Sequence, residues 1–183
     1  MALPEDARIR RIRRVSTIMS WFTLLGGLLI VASILVITID TEILTATLRN
    51  ELKVDEAMLA SGRLALTLAW LVALIPLVPM IWGFYNAWIL FRGFRSAEFF
   101  TPQSGHRLRN IGWSVVLLVG IGFLTDAALS VLTTWHRGAG KRELAIGLEG
   151  TDILGIVVGM LLVVVGWLMA EAALIDDENK QFV

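Results

Sequence analysis

Apolar positions along this chain gather into four long blocks separated by short polar stretches. They run from about Ser16 to Ile39, Leu64 to Phe91, Ile111 to Trp135 and Ile153 to Ile175. A helix rises about 1.5 Å per residue, so roughly 20 apolar residues cross a hydrocarbon core of about 30 Å. Each block meets that length. The first two contain no charged side chain, the third contains only Asp126, and the fourth only Glu171, close to its end. A helix in a soluble protein rarely stays apolar all round for so long. In lipid, backbone groups must be satisfied within the segment, which selects helices over open strands. The pattern predicts an all-α integral membrane protein: one domain over residues 1–183, folded as a four-helix antiparallel bundle with short connections.

Smaller signals punctuate these blocks. Pro76 and Pro79 each remove a backbone donor near the centre of the second span and predict a bend there. Thr101 followed by Pro102 is a helix start, so one helix is expected from about Pro102 through the third span, with Arg107 and Arg109 at headgroup level. Phe94, Phe99 and Phe100 are expected to dip into the interface ahead of it. The connection from Asp40 to Arg63 is expected to hold a surface helix over Leu44–Leu59. In the fourth span Gly155 and Gly159, with Gly166 further on, let two helix backbones approach closely. Gly120 and Gly122, or Gly26 and Gly27, suit the same purpose. Packing inside the bundle is the reading preferred for them, with a homo-oligomer left open. Trp21, Trp88, Trp113 and Trp135 fall near span ends, where indole rings favour the interface.

Charge supplies the orientation. Arg8, Arg10, Arg11, Arg13 and Arg14 precede the first span, Arg92, Arg95, Arg107 and Arg109 join the second to the third, and Lys180 follows the fourth. The opposite side has Arg49, Lys53, Arg63, Arg137, Lys141 and Arg142. Ten basic residues against six place both termini in the cytoplasm. The basic N-terminal segment reads as a short helix lying at the membrane surface, drawn to anionic lipid. Its first apolar run is longer than the roughly 7–15 residues of a cleaved signal peptide, so a retained anchor is expected. Charged residues form 17% of the chain, below the roughly one quarter of a soluble domain.

Candidate chemistry is sparse. The chain has no cysteine, which excludes disulfides and thiolate chemistry. His106 and His136 fall on opposite predicted sides and cannot share a metal. Gly138-Ala139-Gly140-Lys141 approximates a phosphate loop, but Arg142 stands where Ser or Thr is required and no strand precedes it. No enzyme activity, cofactor, metal site or direct nucleic-acid binding is expected. Asp126 is the residue to examine first, because a carboxylate within a span costs about 2.5–3.5 kcal/mol on insertion scales and marks either function or pairing. Its alternative is a hydrogen bond to Thr125 or a neighbouring helix. Glu171 is expected to pair with Arg107 or Arg109 at headgroup level. The depths of Asp126 and Glu171 place them towards opposite faces of the membrane.

Several motifs in order resemble a known family. They are Phe99-Phe100-Thr101-Pro102, Arg107-Leu108-Arg109, Ile111-Gly112-Trp113, and a terminal Glu178-Asn179 followed by Phe182-Val183. Together these resemble a bacterial membrane family known as domain of unknown function 2975, over roughly residues 92–183. The resemblance implies four spans, a bacterial cytoplasmic (inner) membrane and no assigned enzyme activity. Members often look like partners of small cytosolic helix-turn-helix regulators. The function expected is therefore that of a membrane-held regulator or sensor. It would bind its partner through Arg92, Arg95 and the rest of the connection to Asn110, and through Asp176, Asp177 and Glu178. The competing expectation is a small transporter or an accessory subunit of a larger membrane complex, motivated by Asp126 and the bent second span.

Overall fold

In the computed structural model, residues 4–50, 63–95, 101–134 and 150–181 are described. They form α1 (Pro4–Ile39), α2 (Thr41–Asn50), α3 (Arg63–Leu74), α4 (Leu77–Arg95), α5 (Pro102–Thr134) and α6 (Gly150–Gln181). Four stretches are long and apolar enough to cross a membrane: Arg10–Ile39, Thr67–Arg95, Pro102–Val131 and Gly150–Asp177. These are the four spans expected. Trp135, His136, Phe99, Phe100, the glycine-rich string at 138–141, the stretch 51–59 and Phe182-Val183 lie outside the described residues.

Several helix boundaries have a local cause. α1 is continuous over 36 residues, about 54 Å at 1.5 Å per residue. The basic segment is therefore the first turns of the spanning helix and not a separate surface helix. No proline or glycine between Arg14 and Ser16 interrupts the backbone ladder. Hydroxyls within α1 bond back to carbonyls one turn earlier: Thr17 Oγ1 to Arg13 O at 2.8 Å and Thr38 Oγ1 to Ile34 O at 2.7 Å. That arrangement lets them sit in an apolar helix. Asp40 then caps α2, its Oδ1 accepting the amides of Glu42 and Ile43 at 2.9 and 3.2 Å. The surface helix thus begins at Thr41, earlier than expected.

The bend in the second span is a break between α3 and α4 at Ile75-Pro76. Pro76 cannot donate to Val72 O, which accepts Ile75 N at 3.1 Å instead. Pro79 cannot donate to Ile75 O, which accepts Val78 N at 3.2 Å. Both carbonyls robbed of an α-helical donor are satisfied by a tighter turn. α5 starts where Thr101-Pro102 predicted: Thr101 Oγ1 accepts Ser104 N at 3.2 Å, and the two hydroxyls share a 2.9 Å bond.

The four spans pack together in antiparallel order. Among the described residues the principal contacts follow the chain: α1 against α4, α4 against α5, and α5 against α6. α1 and α6 therefore form the flanks, with large apolar side chains such as Phe22, Leu29, Leu161, Trp167 and Leu168 on the outside. Lipid is a good solvent for those faces, so close packing and not expulsion of apolar surface must hold the helices together. The start of α1 and the end of α6 lie at one end of the bundle, called the terminal end, with Arg95 and Thr101. At the far end Ala69, Trp70 and Leu129 form a small core, and Trp70 Nε1 donates to Thr38 Oγ1 at 3.1 Å.

Candidate functional site

The polar residues of the terminal end are held by three constructions. The first is an interlock of glycines between α5 and α6. A methyl added at Gly105 would meet Ala170 N at 2.5 Å and Gly166 O at 2.6 Å; at Gly112 it would meet Gly159 O at 2.5 Å. Reciprocally, Gly166 abuts the Arg109 backbone and Gly159 abuts Gly112 and Val116. At these four glycines the facing helix comes so close that no side chain of their own fits, with Val116 and Val163 packed beside them. Gly105 and Gly112 are seven residues apart, as are Gly159 and Gly166, the repeat that keeps two helices in contact through successive turns. Gly155 meets Val119 at 3.1 Å. Gly155 and Gly159 thus pack inside the bundle. Their partners are Gly112, Val116 and Val119, and not Gly120 or Gly122, which have nothing within 4 Å.

The second construction is a buried amide. Asn86 on α4 is 0% exposed. Its Nδ2 donates to Trp82 O at 2.8 Å. Its Oδ1 accepts Arg107 Nη1 at 3.0 Å and Asn110 Nδ2 at 3.2 Å, both from α5. A buried acceptor facing a guanidinium and a second amide is fully used, and it pins α4 to α5. Arg107 therefore reaches Asn86 and not Glu171, as the sequence suggested; Glu171 is exposed on α6. Asn86 carries no charge and so passes unnoticed in an apolar block. A polar side chain deep in a span is the signal that identifies it.

The third is a basic cleft of about 490 Å³ between α1 and α4, lined by Arg13, Ser20 and Trp21 from α1 and Trp88, Arg92 and Arg95 from α4. Arg13 Nε donates to Arg95 O at 3.0 Å, satisfying a free carbonyl at the C-terminal end of α4. The Arg92 guanidinium lies 5.6 Å from the centre of the Trp88 ring, within cation–π range. A second cleft of about 220 Å³, between α4 and the start of α5, shares Arg92 and is lined also by Thr101, Gln103 and Arg107.

The remaining candidates are dispersed. Asp126 is exposed on α5 towards the far end while Thr125 beside it is buried. Arg109 is half-buried against α6. Asp176 and Asp177 are exposed near the end of α6, in whose last turn Glu178 lies. Asp126 and Glu171 sit at opposite ends, as expected. Arg92 lines one cleft with Arg95 and a second with Arg107; the acidic tail lies at the same end.

No curated protein and no solved structure matches this chain. A protein-family model does, over residues 44–183. The match starts within α2 and so includes the second span, more of the chain than the terminal motifs indicated. With that extent of match, the chain belongs to the protein family of unknown function DUF2975.

Proposed function

We propose that the protein is a non-catalytic regulator of the bacterial cytoplasmic membrane, with both termini in the cytosol, that holds a cytosolic protein at its terminal end. The observation that supports this is opposite charge on two interlocked helices. Arg107 and Arg109 enter on α5, Asp176 and Asp177 leave on α6, and the glycine seam between them fixes their separation. α6 has 32 residues, about 48 Å, which exceeds a hydrocarbon core of about 30 Å and carries its last turns into water. An acidic helix end attracts the basic surface that a small helix-turn-helix regulator uses for phosphates, so membrane and nucleic acid compete for one protein.

Purification in mild detergent tests the reading. A DNA-binding protein retained by the wild type and lost from the Asp176→Asn, Asp177→Asn double variant is the expected outcome. Equal retention by both, or none by either, overturns it. A second reading, an accessory subunit of a larger membrane complex, is favoured by the outward-facing Asp126. In native gels Asp126→Asn would then shift the chain from a larger assembly to a smaller one; unchanged mobility removes this alternative.

A further inference from the structure

We infer that the cleft between α1 and α4 is a binding site for one anionic glycerophospholipid, its phosphate held by Arg13, Arg92 and Arg95 and an acyl chain running along Trp21. Three guanidiniums line this cleft and the rest of its lining is Ser, Trp and Leu, with no carboxylate among the described residues. Like charges gathered this way repel, and a phosphate among them relieves the repulsion while accepting from fork-shaped donors.

The basic groups are also pre-positioned. Arg13 is held through Nε by the Arg95 carbonyl, and Arg92 is stacked on Trp88. Side chains already ordered by the protein lose little entropy on binding. Depth decides between a lipid and a free phosphate. Arg13 and Arg95 belong to the level where the spans emerge, whereas Ser20, Trp21 and Leu24 lie deeper along α1, about 10–17 Å below Arg13 at 1.5 Å per residue. A polar rim above an apolar floor, open between two spans, matches a molecule with a charged head and a hydrocarbon tail. Basic pockets between membrane helices bind such headgroups. The inference needs membrane insertion but not the regulator reading, since no cytosolic partner enters it.

The test is native mass spectrometry of the full chain in detergent, titrated separately with phosphatidylglycerol, phosphatidylcholine and inorganic phosphate. The wild type is expected to bind phosphatidylglycerol at least tenfold more tightly than phosphatidylcholine, with millimolar inorganic phosphate failing to displace it. Arg92→Gln with Arg95→Gln abolishes that preference. Arg10→Gln with Arg14→Gln removes equal charge from exposed positions of α1 that do not line the cleft and leaves it within twofold. Should the double variant not remain monodisperse, Arg95→Gln alone, which keeps the carbonyl that Arg13 uses, is expected to weaken binding about threefold. Equal loss in both double variants assigns the effect to general surface charge and overturns the site. So does equal binding of the two lipids, or full displacement by free phosphate.

Discussion

The two halves of this molecule are assembled by different means. α5 and α6 approach backbone to backbone at Gly105, Gly112, Gly159 and Gly166, where no side chain could replace the glycine hydrogen without contact with the facing helix. α1 and α4 meet through side chains: the Phe84 ring lies against Gly26 and Gly27, and Arg13 reaches across to the Arg95 carbonyl. The first pair fills its seam; the second leaves a cleft of about 490 Å³ lined with arginines. Without a hydrophobic drive between helices in lipid, the closeness of packing sets how firmly a pair is held. The α5–α6 pair is thus the rigid frame of the protein, and the α1–α4 pair is the half able to admit a ligand. Asn86, bonded to Arg107 and Asn110, joins one to the other.

The largest test of this contrast is Gly112→Val. A side chain there meets backbone of Gly159 and Val163 at 2.5–2.7 Å, so the helices must part, at a cost of about 3 kcal/mol or more. Denaturant titration in mixed micelles should show a large loss of folded protein; near-native stability would mean the seam is not as close as described. Asn86→Leu comes next, because it leaves the Arg107 and Asn110 donors without their acceptor. A cost of about 1–3 kcal/mol is expected. A cycle with Arg107→Leu should recover part of it, and strictly additive losses would show that the two residues do not act as a pair. Thr101→Ala removes the cap of α5 and is expected to cost about 1 kcal/mol, read as greater amide exchange confined to the first turn of α5. At the small end, Gly26→Ala meets only the edge of the Phe84 ring at 3.1 Å, which can rotate aside, so less than about 1 kcal/mol is expected. Gly120→Ala meets nothing within 4 Å and should be neutral or slightly stabilising, since alanine favours helix by up to about 1 kcal/mol. If Gly26→Ala proved as damaging as Gly112→Val, the distinction between the halves would fail; if Gly120→Ala did, damage in α5 would not be confined to the seam.

How much of this is legible in the amino-acid sequence depends on the range of the forces involved. The spans, the break at Pro76 and the start of α5 at Thr101 are legible because each follows from a few neighbouring residues and the lipid around them. The partners of Gly155 and Gly159 are not. Gly105, Gly112, Gly120 and Gly122 look alike in the chain, and only the register of α5 on α6 sets Gly112 against Gly159, Gly105 against Gly166, and leaves Gly120 and Gly122 unopposed. Arg107 presents the same difficulty. Glu171 is its natural partner by charge, but the Asn86 amide is buried on α4 within reach of the guanidinium.

The order of apolar and charged residues by itself determined that this chain has four helices long and apolar enough to cross a membrane, where the second of them bends, and that basic groups collect at one end. Those properties arise from transfer into lipid and from backbone donors present or missing at single positions, both local to the chain. Tertiary structure alone decided which helices touch through backbone, which polar groups share a buried acceptor, and that Arg13 meets Arg92 and Arg95 across a cleft. These depend on the rotation and register of one helix against another. Many arrangements of four apolar helices satisfy lipid equally well, so contact geometry, and not hydropathy, chooses among them.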